Sequence, residues 1–233
     1  MKRAFMGAVV AVVLATTSAP SQASTNIAEL QNIRFTFTDL NLGDGIDPEL
    51  IDVPGEVHSG FGVVLDGYFP GGPGLVTEGF LTAPDLDFSI GSVPDAGGSG
   101  SMSPGHIVVE ADSIGFGTAD ISGSAGGGYF VTPHTRVTLS ADAVLQSIGG
   151  AGWEYLSICL DACSNDKTFA DGTQTRSFSV TYSNDTDQYM GIFASVLVDA
   201  YATSVPELPA SVMLLASGAL FAWRPLRRRS KRA

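Results

Sequence analysis

The sequence predicts an all-β protein, a single antiparallel β-sandwich that is jelly-roll-like or immunoglobulin-like. Apolar and polar side chains alternate with a period of two along several segments, as in strands with one buried face. Glycine and proline, 28 and 12 of the 233 residues, separate these segments. The middle of the sequence has neither long stretches of helical period nor a repeat of fixed length, which disfavours helical bundles, propellers and solenoids. About eight to ten strands with turns between them are typical of a sandwich.

The predicted strands follow the alternating segments in order. They are residues 33–38, 61–69, 75–81, 106–110, 137–145, 153–160, 177–182 and 189–201. Pro70–Gly74 is predicted to form a hairpin turn between the second and third strands, and Ser183–Asp187 a polar turn before the last. Three apolar faces should line the core: Ile33, Phe35, Phe37; Val137, Leu139, Ala141, Ala143, Leu145; and Met190, Ile192, Ala194, Val196, Val198.

Two segments rich in glycine and serine interrupt this pattern. They are Ser92–Gly105 (SVPDAGGSGSMSPG) and Ser122–Gly128 (SGSAGGG). Such composition is typical of flexible connections. We therefore expect both segments to be mobile loops inserted between strands of one domain.

The N-terminus has the organisation of a secretory signal peptide. Lys2 and Arg3 precede the apolar run 8–15, and the small residues that follow end in Ser21-Gln22-Ala23. Small residues at the first and third positions before the scissile bond are what signal peptidase accepts, so cleavage is predicted after Ala23. A membrane anchor is the alternative, but the run is too short to cross roughly 30 Å of hydrocarbon at about 1.5 Å per residue.

The C-terminus has three parts in a fixed order. The motif Val205-Pro206-Glu207-Leu208-Pro209 precedes a mostly apolar segment, residues 210–223. Six basic residues then end the chain: Arg224, Arg227, Arg228, Arg229, Lys231 and Arg232. Such a cluster stays on the cytoplasmic side of the inner membrane, and the apolar segment, predicted to be helical, is marginal in length for a permanent span. The pattern therefore predicts a transient anchor, with a stable anchor as the alternative.

This tail resembles the PEP-CTERM sorting signal of Gram-negative bacteria. The Val-Pro-Glu motif, the apolar helix and the arginine-rich end occur together at the terminus, and the resemblance covers only residues 205–233. Leu208 stands where the usual second proline follows the glutamate, and Pro209 comes one place later. The resemblance implies cleavage near Pro206-Glu207 by exosortase, a membrane cysteine protease. It also implies a place at the cell surface or in an extracellular matrix with exopolysaccharide.

The predicted mature domain, residues 24–204, is strongly acidic. It holds 23 acidic and four basic side chains, a formal charge of −19. Binding to nucleic acid or to anionic lipid depends on clustered lysine and arginine, so neither is an expected partner. A large negative charge favours solubility and attracts cations. About 180 residues are enough for one domain with a hydrophobic core.

Cys159 and Cys163 are the two cysteines of the chain, in Cys-Leu-Asp-Ala-Cys. Export to an oxidising compartment favours a disulfide between them. A zinc site would need two further ligands, and the neighbouring sequence supplies none at suitable spacing. The sequence therefore predicts a disulfide that closes a short turn.

Paired acids are the candidates for a metal or a hydrolytic site. The pairs are Asp44 and Asp47, Asp85 and Asp87, and Asp185 and Asp187. Carboxylates in turns can converge on Ca²⁺, although none of these matches the twelve-residue calcium loop. Two carboxylates can also serve a glycoside hydrolase. Acidic turns are common without either role, so no cofactor is expected, and Ca²⁺ remains the alternative.

Catalytic signatures are not evident in the sequence. His58, His106 and His134 lie in unrelated segments, without a nucleophile elbow, a zinc-protease helix or a phosphate-binding loop. We therefore expect a non-enzymatic surface or matrix protein. A carbohydrate-binding module is the alternative, because sandwiches bind sugars with exposed aromatic side chains. The candidates are Trp153, Tyr155, Tyr182, Tyr189 and Tyr201.

Overall fold

A computed structural model gives the structure of the chain. It describes residues 21–56, 58–66, 79–81, 86–93, 95–114, 117–149, 152–168 and 171–206. These ranges contain fifteen strands. The strands are β1 (Ser21–Gln22), β2 (Ser24–Asp39), β3 (Leu50–Asp52), β4 (His58–Asp66), β5 (Gly79–Leu81), β6 (Leu86–Val93), β7 (Ala96–Ser103), β8 (His106–Ser113), β9 (Thr118–Val131), β10 (Thr135–Ile148), β11 (Gly152–Leu160), β12 (Ala162–Thr168), β13 (Gly172–Asn184), β14 (Met190–Thr203) and β15 (Val205–Pro206).

Two antiparallel sheets build the main unit. One has six strands in the order β13-β10-β2-β8-β7-β6, and the other has the order β12-β11-β14-β9-β4-β5 with β3 also paired to β9. The sheets pack face to face, with β8 and β14 among the strands in contact across the interface. The prediction of an all-β antiparallel sandwich is confirmed.

The chain divides into two compact units. Ala23–Ser204 contains both large sheets, and the second unit combines Met1–Gln22 with Val205–Ala233. Of the second unit the structure describes β1 and β15, which pair antiparallel. The predicted apolar run of the signal peptide, the apolar tail segment and its basic end lie outside the described residues. Within the described ranges there is no helix with the length and apolar character that crossing a bilayer requires.

The core consists of the alternating side chains that each sheet turns toward the other. On β10 the five residues predicted to share a face are all at most 3% exposed. On β14 the buried set is Ile192, Ala194, Val196, Val198, Ala200 and Ala202. Burial of one Val, Leu or Ile side chain contributes about 1.5–3 kcal/mol, so this interface dominates the stability of the unit. Two predicted core residues are instead partly exposed near strand ends, Phe37 at 41% and Met190 at 38%.

β2 begins at Ser24, earlier than the predicted strand 33–38, and a β-bulge explains why its alternation does not continue through that start. The register between β2 and β10 shifts between Ser140 and Asp142, and Asn32 adopts a φ of 54° opposite this shift. One inserted residue moves every later side chain to the other face. Ala28 and Leu30 before the bulge are therefore buried, and the inward set continues with Ile33 and Phe35 after it.

The expectation of two mobile glycine-rich loops is wrong. Residues 96–103 form β7, and Ser122–Gly128 lies inside β9. A Cβ atom at Gly98 would lie 2.7 Å from Ile121 of the opposite sheet, and one at Gly123 would lie 2.8 Å from Phe61 and 3.1 Å from Ile107. Ile121 and Ile107 approach these glycines from the opposite sheet, and Phe61 approaches Gly123 from the neighbouring strand β4, so a side chain does not fit at either position. Glycine in these strands therefore reflects close packing rather than flexibility.

The predicted hairpin around Pro70–Gly74 is present in its described part. β4 and β5 pair antiparallel, with Phe61 opposite Leu81 and Val63 opposite Gly79. The turn itself lies outside the described residues. β6 and β12 are additional strands that the alternation did not indicate.

Glu154 is a carboxyl group enclosed by the core. Its side chain is 0% exposed on the inner face of β11, and neither carboxyl oxygen has a hydrogen-bond partner among the described residues. The pKa of Glu154 is raised from 4.5 to about 7, with loss of hydration as the largest cause and the charge of Asp171 as a smaller one. Burying the ionised form is costly, so the folded chain holds this carboxyl protonated at acidic pH.

Substitution Gly123→Val tests the close approach of the sheets. Overpacking of this kind typically costs about 1–3 kcal/mol, and we expect a loss of unfolding free energy in that range in urea titrations. The matched control is Ser124→Val, which places the same side chain on the exposed outer face of the same strand. Equal stability of the two variants would contradict the packing argument.

The raised pKa of Glu154 predicts that the folded domain loses stability as pH rises. The pKa is raised in the folded state, so the stabilisation is complete below about pH 4.5 and is lost as pH rises through about 7. Glu154→Gln should reduce the slope of unfolding free energy against pH in this window by up to about 1.4 kcal/mol per pH unit. Urea titrations between pH 4 and 8 measure it. Glu110→Gln, on the outer face of β8, should leave the slope unchanged, and an unchanged slope in Glu154→Gln would refute the assignment.

Candidate functional site

The outer face of the seven-stranded sheet carries the candidate site. Cross-strand register places Tyr155 of β11 opposite Asp199 of β14, and Asp199 opposite Ser122 of β9. The neighbouring row contains Trp153, Tyr201 and Asp120. Residues two apart on a strand share a face, so all of these point away from the core. Aromatic and acidic side chains thus meet on one surface.

Trp153 lies in a stack of three side chains. Tyr201 stacks on its indole ring with centroids 5.5 Å apart and an interplanar angle of 15°. Lys167 Nζ lies 3.6 Å from the ring centroid. β11 runs between β12 and β14, so Lys167 and Tyr201 approach the indole from opposite sides. Offset stacking and the cation–π contact together fix the ring, which forms a rigid end to the site rather than a free platform.

Asp120 and Asp199 form a carboxyl pair beside this stack. The pKa of Asp199 is raised to about 8, with burial as the largest cause; the hydrogen bond and the charge of Asp120 contribute to the increase, and the charge of Lys167 opposes it. The Asp199 carboxyl is therefore mostly protonated at neutral pH, beside the carboxyl group of Asp120. Asp199 Oδ1 is buried without a hydrogen-bond partner among the described residues.

A cleft of about 270 Å³ lies on the same outer face, and one of its lining residues, Ser122, is opposite Asp199 in the sheet. Its floor consists of small residues of three adjacent strands: Gly60, Gly62, Ser122, Ser124, Gly126 and Ser195. His58 and Phe193 stand at its far end, and Phe193 is 48% exposed. Hydroxyl groups on the floor can donate and accept hydrogen bonds, and the phenyl ring offers an apolar wall.

The Glu56 carboxylate lies on the same outer face near Phe193, outside the lining of the cleft. Val53-Pro54-Gly55-Glu56 forms a turn closed by a hydrogen bond from Glu56 N to Val53 O, 3.1 Å, with a φ of 85° at Gly55. Proline followed by glycine with positive φ is typical of a type II turn. The turn places the Glu56 carboxylate against Gly128, which lies beside Phe193 in the sheet. Glycine at 128 leaves the space that this carboxylate occupies.

Three of the five aromatic residues proposed from sequence come together. Trp153, Tyr155 and Tyr201 lie on this outer face. Tyr182 instead packs partly buried against the core, and Tyr189 is 56% exposed in the turn before β14. Sequence analysis did not identify Asp120, Asp199, Glu56 or Phe193. The alternation of serine with Ile121 and Gly123 could have indicated a polar face on β9, had that segment been recognised as a strand.

The predicted disulfide is confirmed. Cys159 and Cys163 lie opposite each other at the start of the β11–β12 turn, with a Cα–Cα distance of 4.0 Å. Asp161 at the tip adopts a φ of 58°, and its N–H donates to Phe193 O at 3.1 Å. The bridge therefore holds the strand beside the phenylalanine that closes the cleft.

The acidic turns do not gather into a metal site in the described part of the chain. There, no three His, Cys, Asp or Glu side chains come together to hold an ion. Asp187 Oδ1 lies 2.7 Å from His134 Nε2, and Asp44 Oδ1 accepts from Ile46 N at 2.8 Å. Asp85 is outside the described residues. Among the described residues, Asp47, Asp87 and Asp185 do not belong to any group of three or more potential metal ligands.

His106 contacts Glu29 at 2.8 Å on the other sheet, away from the cleft. Asn184, in a glycosylation-like Asn-Asp-Thr sequence, is 1% exposed, and its amide donates to the carbonyls of Val131, Thr132 and Gln188. Its role is to close the turn.

Of the C-terminal sorting signal, the structure describes Val205 and Pro206, which form β15. At the other end of the chain, Ala23, after which signal-peptide cleavage is predicted, is exposed. Glu207, Leu208, Pro209 and the six basic residues lie outside the described residues.

Comparisons with known proteins add no family to this description. The chain matches no family model, no curated protein and no solved structure. The site is therefore interpreted from its own geometry.

Proposed function

We propose that this chain is an exported, non-enzymatic surface or matrix protein whose sandwich binds carbohydrate in the outer cleft. Signal peptidase removes residues 1–23, the C-terminal segment holds the protein transiently in the inner membrane, and exosortase releases it at the Pro206-Glu207 motif. The released domain then associates with exopolysaccharide at the cell surface or outside the cell.

The cleft is the observation that supports carbohydrate binding. Sugars present hydroxyl groups and apolar C–H faces, so their sites combine hydrogen-bonding groups with aromatic walls. Ser122, Ser124 and Ser195 supply hydroxyls, and Phe193 supplies the wall. The stack of Lys167, Trp153 and Tyr201 keeps one end rigid, which lowers the entropic cost of binding.

The chain ends support the exported part of the proposal. The basic cluster after an apolar segment of marginal length fits a tail that stops in the inner membrane. The Cys159–Cys163 disulfide fits an oxidising compartment. The acidic domain, at −19, fits a soluble protein that does not adhere to anionic lipid.

Substitution Ser124→Trp should block the cleft. A large side chain on the exposed floor fills the space that a sugar ring needs, and we expect at least about a tenfold loss of affinity. The measurement is a glycan array with and without Ca²⁺, followed by titration of the best ligand. Ser179→Trp on the outer face of β13 is the matched control. Unchanged binding by Ser124→Trp, or no binding of the parent to any glycan, would remove the proposal.

Processing at both ends is measured by the intact mass of the protein from its host. We expect the mature chain to begin at Ser24 and to lack the basic tail. Neutral substitution of Arg227, Arg228 and Arg229 should alter membrane retention and processing, because these charges hold the tail in the cytoplasm. A cytosolic protein with Met1 and Ala233 still attached would contradict export.

A further inference from the structure

We propose that the chain associates with a second copy of itself through the outer edge of β13, which joins two six-stranded sheets into one antiparallel sheet of twelve strands. This surface is separate from the proposed carbohydrate site, because none of the residues that line the cleft belongs to β13.

β13 is a long strand at the edge of its sheet. It has 13 residues, most of them exposed, and β10 is the one described strand that pairs with it. The outward side of an edge strand presents backbone N–H and C=O groups to which another strand can pair. β13 therefore offers an extended template for a further strand.

The other three sheet edges carry features that prevent such pairing. β5 has three residues, and β12 has seven with Asp166 and Lys167 side by side. β6 contains Asp87, and its register with β7 is irregular between Ile90 and Val93. Short length, charged side chains and irregular pairing are the usual protections of an edge. β13 has no proline, no register shift against β10 and a single charged side chain, so it is the edge without them.

The sequence of β13 has nearly the same pattern in both directions from Phe178. Residues with hydroxyl groups occupy the alternate positions on both sides of it: Thr173, Thr175, Ser177, Ser179, Thr181 and Ser183. An antiparallel pair centred on Phe178 therefore places hydroxyl opposite hydroxyl on the outer face and phenyl opposite phenyl on the inner face. Both kinds of cross-strand pair stabilise a sheet, so a second copy of the chain matches this edge.

The charges on the outer face are compatible with this register. β10 contributes Arg136, which is opposite Ser183, and Asp142, which is opposite Ser177. The same rows continue in the second copy with uncharged residues, Thr173 and Gln146 in the first row and Ser179 and Ser140 in the second. Like charges would destabilise the pair if they were directly opposite, and here none are.

Charge on the rest of the domain opposes association at long range. Residues 24–204 carry a formal charge of −19, so two copies repel each other. β13 itself adds Arg176, whose guanidinium is paired with the Asp166 carboxylate at 2.6 Å. Salt screens the repulsion between the two domains, and we therefore expect added salt to strengthen the dimer.

Sedimentation equilibrium of the full chain in density-matched detergent micelles measures the association, and the parent should form dimers. Ser177→Lys with Ser179→Lys places lysines opposite each other across the interface and should weaken dimerisation at least about tenfold. Thr138→Lys with Ser140→Lys adds the same charge to the same face one strand from the edge, and its dimerisation should stay within about twofold of the parent. Circular dichroism verifies that both variants are folded.

Cross-linking tests the register. Ser177→Cys with Ser179→Cys should yield covalent dimers on mild oxidation, because opposed residues of antiparallel strands lie within disulfide range and the two native cysteines are already bonded to each other. Thr138→Cys with Ser140→Cys should remain monomeric on non-reducing gels.

A parent that stays monomeric at about 100 μM would overturn the inference. Equal dimerisation of the two lysine variants would also overturn it, because the association would then depend on another surface or on charge alone. Equal cross-linking of the two cysteine variants would reject the pairing of β13 with itself. Glycan binding is measured separately, and none of these outcomes changes it.

Discussion

The close approach of the two sheets is the constraint on which this structure depends. Ile121 and Ile107 fill, from the opposite sheet, the space that a Cβ of Gly98 and of Gly123 would occupy, and Phe61 of the neighbouring strand adds to the crowding at Gly123. Backbone hydrogen bonds fix the distance between neighbouring strands of one sheet. The distance between the two sheets is set instead by the side chains that face inward. Small residues at these positions let large aliphatic ones interdigitate from the other side at the density of a protein interior.

The same constraint shapes the outer surface. On either side of Ser124, β9 turns Gly123 and Ala125 inward, so this part of the strand has little side-chain bulk on either face. Its outer serines and the glycines of β4 leave a depression, and the bulky groups of β11 and β14 rise on one side of it. The cleft is therefore a consequence of how the core is packed, and its rigid end comes from stacked side chains on strands that the core already holds in place.

Acid groups with raised pKa values occur on opposite faces of two neighbouring strands. Glu154 faces the core from β11, and Asp199 lies on the outer face of β14. In both, loss of hydration is the main cause of the shift. This part of the sheet therefore binds protons more strongly when folded, and its stability and its surface charge depend on the same pH range.

The sequence by itself determined the class of fold, because period-two alternation is a local property that each strand displays on its own. It also determined the disulfide, since Cys159 and Cys163 are separated by a single turn. Three aromatic residues of the outer face could likewise be proposed from the sequence. Only the tertiary structure decided that glycine-rich segments are strands, since their composition suits a loop equally well and the neighbour that excludes a Cβ lies in the other sheet. Tertiary structure likewise decided the pairing of Asp120 with Asp199 and the placement of Glu56. Those residues are distant in the chain, and register between strands, which no local pattern records, brings them together.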